Sequence, residues 1–239
     1  MKIFGVGMNY LQHTEELDGR AYRPSEPVIF LKPDSALLKD GKPFFVPDWA
    51  QRFDYEAELV VRICRLGKGI PVRFAHRYWD AVTVGIDFTA RDTQEKARHE
   101  GMPWTICKGF DGSAAIGRFL ELQEIQTPPL APPLEGRGVV AEKSLEGREV
   151  VAEKSLEARE VATGICFRLD KNGETVQRGD SSNMLFSVDE IISYLSRFFT
   201  LRTGDLIYTG TPAGIGAVKP GDHLQGYIGE DCVLDFYCR

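Results

Sequence analysis

The 239-residue sequence predicts an α+β protein, mostly β with a few packed helices. Six short runs carry that expectation, each rich in β-branched or aromatic residues and bounded by Gly, Pro or Asp. They are PVIFLKP (27–33), AELVVRIC (57–64), AVTVGIDFTA (81–90), TGICFRLD (163–170), DLIYTG (205–210) and CVLDFYC (232–238). The turn signals RTGD (202–205) and KPGD (219–222) separate late runs from one another. One helix is plain: in SVDEIISYLSRFFTL (187–201), Ser187 and Glu190 form a capping-box signature, and Ile191, Leu195 and Phe198 recur on one face. A second helix is expected over RFAHRYWDAV (73–82).

Hydrophobic residues make up 43% and charged residues 27%, the balance of a globular protein, and the length suits a single domain over 1–239. A net charge of −6 with no basic stretch argues against a nucleic-acid partner. The five cysteines (Cys64, Cys107, Cys166, Cys232, Cys238) form no CxxC pair, so neither a zinc site nor a disulfide framework is expected, and a reducing cytosol fits. The apolar run before Asn9 is too short for a signal-peptide core, and no other run is long enough to span a membrane. The expectation is a cytoplasmic protein without a membrane partner.

Residues 134–163 stand apart. They read LEGRGVVAEKS, LEGREVVAEKS, LEAREVAT, two copies of an eleven-residue unit and a partial third, after the proline-rich QTPPLAPP (126–133). No clean amphipathic face results on a helix, and the copies are too few for a solenoid. The expectation is a tandem-repeat insertion at about 127–162 in a surface connection, where added length costs little entropy. The alternative is a partner-binding segment.

Candidate chemistry begins in RFDYEAELVVRI (52–63), where Asp54, Glu56 and Glu58 share one strand face. Such a ladder repels itself unless something positive lies over it. Glu56 and Glu58 point the same way, about 7 Å apart at the backbone, and Asp87 ends another apolar run. Three carboxylates form an oxygen-only shell suited to Mg²⁺, Mn²⁺ or Ca²⁺ rather than zinc or copper. The alternative is a solvated strand face. His13 and Glu16, in NYLQHTEEL, meet if that stretch forms a helical turn. The carboxylate would then fix the imidazole tautomer and make a general base for water, whereas the plainer reading is a surface histidine beside two acids. Lys108, in PWTICKGFDG, can face an anionic substrate or snorkel to the surface. YTGTPAGIGAVKPGD (208–222) lacks the GK[ST] of a phosphate loop, and GVGMNY lacks the third glycine of a dinucleotide fingerprint. The former still offers backbone N–H groups and the Thr209 or Thr211 hydroxyl to a carboxylate.

Taken in order, GMNYLQH, SEPVIFLKP, DYEAELVVRI, GIDFTARDTQ, GMPWTICKGFDG, SSNMLFS and TGTPAGIG resemble the fumarylacetoacetate hydrolase family, closest to its small single-domain acylpyruvase and oxaloacetate decarboxylase branch. The similarity covers about 1–125 and 163–239. It implies a rolled, mixed β-sheet fold and a homodimer. It implies Mg²⁺ or Mn²⁺ on Glu56, Glu58 and Asp87, with Ca²⁺ as a non-physiological occupant. Lys108 matches a lysine that contacts substrate near the metal. Arg91 and Gln94 match pocket residues, and Thr211 a residue that contacts the substrate carboxylate. His13 and Glu16 match a catalytic dyad on a short helix that closes over the site.

The implied activity is cleavage of a C–C bond in small 2-oxo acids through a metal-bound enolate: acylpyruvate hydrolysis, oxaloacetate decarboxylation or both. The rivals are an isomerase or tautomerase of the same family, acting on 2-hydroxy-diene-dioate or oxaloacetate-type substrates, and a non-catalytic metal- or carboxylate-binding module. The departure from the family pattern is the 134–163 insertion, placed where it can alter an oligomer contact.

Overall fold

The computed structural model describes residues 1–19, 21–125 and 164–239. The chain opens with β1 (Ile3–Gly7), α1 (Leu11–Asp18), β2 (Val28–Lys32) and β3 (Leu37–Leu38). Then come β4 (Phe53–Tyr55), β5 (Ala57–Ile63), α2 (Val72–Ala75), β6 (Trp79–Asp87) and β7 (Thr89–Ala90). Helices α3 (Arg91–Glu100) and α4 (Thr105–Lys108) lead to β8 (Ala114–Ile116) and β9 (Leu120–Glu121). The remaining elements are β10 (Cys166–Lys171), β11 (Glu174–Asp180), α5 (Val188–Phe198), β12 (Leu206–Tyr208), β13 (Gly216–Ala217), β14 (His223–Ile228) and β15 (Asp231–Tyr237).

An eight-stranded mixed sheet runs β2-β1-β12-β5-β6-β8-β3, with β9 also paired to β6. The β1–β12 and β3–β8 pairs are parallel. A four-stranded antiparallel sheet, β11-β10-β14-β15, packs against β5 and β6, and a three-stranded sheet joins β13, β4 and β7. Gly226 permits the close approach of the two larger sheets, because a Cβ there would lie 2.8 Å from Val84 Cγ1. The fold is mostly β with a few helices, as the runs predict, and it is the rolled, mixed β-sheet arrangement that the family resemblance implies.

The central strands are buried on both faces. Leu59, Val61, Val82 and Val84 belong to the larger core, while Val60 packs with Ile3, Leu206 and Tyr208 in a smaller one. Alternating side chains of β5 thus enter two cores, each large aliphatic contributing about 1.5–3 kcal/mol. Helix α5 begins where its capping box predicts: Ser187 Oγ accepts from Glu190 N at 3.3 Å, and Glu190 Oε2 accepts from Ser187 N at 2.7 Å.

Two expectations need correction. The helix expected over 73–82 shrinks to Val72–Ala75, and Trp79 already starts β6. The β-branched run Val82–Val84 makes a continuous ladder with β5, and that pairing overrides the local helical pattern. The 52–63 run is not one strand either. It breaks at Glu56, where the chain leaves the three-stranded sheet for the eight-stranded one. The repeat at 134–163, and with it the insertion at about 127–162, lies outside the described residues. No helix among the described residues is long and apolar enough to cross a membrane.

Candidate active site

The break at Glu56 and the β5–β6 ladder bring the three candidate ligands together. Asp87 N donates to Glu56 O at 2.8 Å, which sets the end of β6 beside the start of β5. One oxygen from each of Glu56, Glu58 and Asp87 lies within 4.8 Å of the others, and all three residues are buried. The acidic face of the 52–63 segment is therefore not a wet face. Asp54, two residues before Glu56, is wholly buried too.

Cations reach these acids from other elements. Lys108, at the end of α4, donates to Glu56 Oε2 at 2.7 Å, Asp87 Oδ2 at 2.6 Å and Thr89 Oγ1 at 2.7 Å. Arg91 donates from Nη2 to Glu56 Oε1 at 2.6 Å, from Nε to Asp54 Oδ2 at 2.8 Å and from Nη1 to Gln94 Oε1 at 2.5 Å. Lys32, the last residue of β2, places Nζ 2.6 Å from Asp87 Oδ1. It also donates to the carbonyls of Lys108 and Ser113.

The two glutamates differ in consequence. Burial works to raise the Glu56 pKa, but Lys108 and Arg91 outweigh it and hold the carboxyl well below its ordinary range. Glu58 is pushed well above that range by burial, then by Asp87 and Glu56. A backbone donor, Gly210 N at 2.6 Å from Oε2, relieves only part of this. Lys108 is pulled toward neutrality by burial, yet Asp87 and Glu56 raise its pKa overall.

These residues fit a divalent cation. Four buried carboxylates (Asp54, Glu56, Glu58, Asp87) meet three buried cationic side chains (Lys32, Arg91, Lys108). Asp87 Oδ1 makes no well-directed hydrogen bond, although it lies against Lys32. The donor set is oxygen only, the preference of a hard ion.

His13 lies in the same cavity as the carboxylates. It sits on α1, is 5% exposed, and its Nδ1 is 3.5 Å from Glu16 Oε2. That contact is an electrostatic approach rather than a hydrogen bond, for Nδ1 has no hydrogen-bond partner. Burial lowers the His13 pKa most, Glu56 raises it, Lys108 lowers it again, and the imidazole is neutral near pH 7. Glu16 is anchored by Gly214 N, at 3.1 Å from Oε2. Gly19 closes the helix in the left-handed region at φ 66°, where a residue with a Cβ would be strained.

The expected substrate contacts are placed more unevenly. Arg91, Gln94, Lys108 and Thr211 all line the cavity, with Phe30 and Trp104 as apolar wall. Arg91 and Gln94, however, are bonded to each other, and Arg91 is bonded to Asp54 and Glu56. The Thr211 hydroxyl donates to Ala57 O at 2.8 Å and Thr209 Oγ1 to Leu59 O at 2.7 Å, so both protons face β5. Sequence reasoning missed Lys32, whose signal is a lysine closing an apolar strand before proline, and Gln177, which has no local signal.

The fumarylacetoacetate (FAA) hydrolase C-terminal family model matches residues 2–231. A rat protein named oxaloacetate tautomerase FAHD1, mitochondrial, is 34% identical over 226 residues, 95% of this chain and 86% of its own length. A Dictyostelium discoideum protein named oxaloacetate decarboxylase, mitochondrial, is 33% identical over 98% of this chain and 92% of its own. Among solved structures, fumarylpyruvate hydrolase from Pseudomonas aeruginosa in complex with Mn²⁺ and pyruvate superposes with a TM-score of 0.79 and 31% identity. That match covers 100% of this chain and 89% of the other.

Proposed function

The chain belongs to the fumarylacetoacetate hydrolase family, and on that premise we propose that it is a divalent-metal-dependent enzyme that cleaves a C–C bond in small 2-oxo acids. The substrates are acylpyruvates, hydrolysed to pyruvate and a carboxylic acid, and oxaloacetate, decarboxylated to pyruvate. One observation carries the reading: a buried, neutral imidazole shares a cavity with a buried three-carboxylate cluster.

Glu56, Glu58 and Asp87 would hold Mg²⁺ or Mn²⁺, which when bound supplies Lewis-acid stabilisation of negative charge on the 2-oxo group. Lys108 adds a fixed positive charge beside the same acids. In hydrolysis His13 removes a proton from water, and the hydroxide equivalent adds to the distal carbonyl. The C3–C4 bond then breaks, its electron pair passing to pyruvate enolate, which takes up a proton at C3. Glu16 orients the ring through Nδ1, and Gly214 holds Glu16. In decarboxylation no water adds: the C3–C4 bond breaks, C4 leaves as CO₂, and the electron pair stays behind as the same enolate. Arg91 fixes Glu56 and with Gln94 borders the substrate, and Thr211 borders its carboxylate. We also read residues 1–239 as one catalytic domain that works as a homodimer in a reducing compartment such as the cytosol, in keeping with five unpaired cysteines.

A second reading is favoured by the name of the rat relative. In keto–enol tautomerisation of oxaloacetate, His13 would move a proton between C3 and the 2-oxo oxygen without breaking a C–C bond.

The test is pyruvate release from acetylpyruvate and from oxaloacetate, with Mg²⁺ or EDTA, beside His13→Ala and a no-enzyme control. Metal-dependent release that collapses in the variant supports cleavage. No release above control, with accelerated decay of enol absorbance, supports the tautomerase instead. Neither activity, with Mn²⁺ still bound, would leave a binding module.

A further inference from the structure

Gln177 belongs to β11, in the four-stranded sheet, yet its side chain bonds Ala57 of β5 and the Thr211–Pro212 loop across the sheet boundary. It is 2% exposed. Its Oε1 accepts from Ala57 N at 2.8 Å, and its Nε2 donates to Thr211 Oγ1 at 2.9 Å and Pro212 O at 3.0 Å. Ala57 is the residue between Glu56 and Glu58.

These bonds fill a gap in the sheet. Strand pairing of β12 with β5 ends at the Tyr208–Val60 step, and Thr209 N to Leu59 O at 3.1 Å is the last backbone bond, so Ala57 at the start of β5 has no strand partner on that side. Side chains take over. Thr209 Oγ1 donates to Leu59 O, Thr211 Oγ1 donates to Ala57 O, and Gln177 receives Ala57 N. A carboxamide suits the position because it offers an acceptor and two donors from one rigid plane. The loop it grips also provides Gly210 N to Glu58 and Gly214 N to Glu16. The strand of Gln177 backs that loop closely, for a Cβ on Gly214 would lie 2.5 Å from Val176 O.

We propose that Gln177 is a positioning residue: by clamping Thr211 and Pro212 to Ala57, it fixes the carboxylate strand against the 209–214 loop and so sets the cation site relative to Glu16 and His13. The inference rests on the reading of Glu56, Glu58 and Asp87 as cation ligands.

The test uses the full chain, Mn²⁺ and four variants: Gln177→Met, Gln177→Glu, Thr211→Val and the Gln177→Met/Thr211→Val double variant. Gln177→Met keeps the volume and loses all three bonds, whereas Gln177→Glu keeps the acceptor for Ala57 N. Mn²⁺ affinity and the spectrum of the bound ion are read by electron paramagnetic resonance, turnover by pyruvate release, and folding by thermal unfolding. In Gln177→Met we expect a loss of about 10–100-fold in Mn²⁺ affinity or turnover and an altered spectrum. Gln177→Glu should fall between Met and wild type, and it carries the test if Gln177→Met does not fold. In Mn²⁺ affinity and spectrum, the readouts on which additivity is judged, Thr211→Val should add little to Gln177→Met, because the two act as one clamp. Wild-type affinity, spectrum and turnover in the Gln177 variants would overturn the inference alone, as would additive effects in the double variant. A wild-type protein that bound no Mn²⁺ would remove the cation-site reading and this inference with it.

Discussion

Two histidine–carboxylate pairs occur among the described residues, and the tighter one is outside the cavity. His223 Nε2 lies 2.7 Å from Asp235 Oδ1 on the β14–β15 ladder, its ring stacked on Tyr237 at 4.2 Å. His13 Nδ1 stands 3.5 Å from Glu16 Oε2. Yet the Asp235 side chain is 52% exposed, so water screens that pair and it resembles any surface ion pair. His13 is buried among Glu56, Lys108 and Glu16, where desolvation keeps the ring neutral and each neighbour acts at low dielectric. A short distance does not make an acid–base pair. What else the ring faces does.

The largest effect that would break this contrast is on turnover. His13→Ala is expected to lower pyruvate release by about 10²–10⁴-fold, while His223→Ala leaves it close to wild type; equal losses would erase the distinction. The pH profile sharpens it. Because the His13 pKa is lowered from 6.5, the neutral base persists below that pH, and the acid limb of kcat/KM should fall below 6.5. A limb at or above 6.5 would mean a solvated histidine.

Glu56 and Glu58 repeat the contrast within one strand. Glu56→Gln strips a buried partner from Lys108 and Arg91 and should destabilise the metal-free protein by about 3 kcal/mol. Glu58→Gln should do the opposite near neutrality. A raised carboxyl pKa means that the folded state favours the protonated form. Its contribution is complete below the ordinary 4.5 and lost as pH rises above it. Urea unfolding of the metal-free proteins should thus show the wild type losing ground to Glu58→Gln between pH 4.5 and 7. Mn²⁺ at a hundredfold excess over its Kd should stabilise the wild type by about 2.7 kcal/mol and the Glu58→Gln variant much less.

Arg91→Lys separates positioning from substrate contact. Its guanidinium bridges Asp54, Glu56 and Gln94, so the loss should show as about tenfold weaker Mn²⁺ binding with a smaller change in KM; the reverse pattern would favour a direct substrate contact. The smallest effect lies far from the chemistry. Ser187→Ala removes the α5 cap and should cost about 1 kcal/mol in unfolding free energy, with turnover unchanged.

Much of this site was legible before any fold was known, but unequally. The helical-turn spacing of His13 and Glu16 could be read directly, and α1 bears it out; the pairing of Glu56 with Glu58 was also legible, although Glu56 falls at the break before β5 rather than on the strand. Lys108 could be singled out but not placed, since its partners lie on β6, β7 and the β4–β5 break. The start of β6 was misread because WDAV satisfies a helical pattern until β5 pairs with it. Gln177 was invisible: it meets Ala57 from 120 residues away.

Local sequence was enough for the predominance of strands, the capped α5 and the i,i+3 pair of His13 and Glu16. Those follow from the fixed rise and turn of each residue along its own element. It took the packed fold to bury the acidic face, to hold Glu56 ionised between Lys108 and Arg91 while Glu58 favours its protonated form, and to bring His13 rather than His223 to the acids. Solvation and electrostatic energies depend on every group within a few ångströms, and in this chain Lys32, Lys108, Gln177 and Gly210 arrive there from distant parts of the sequence.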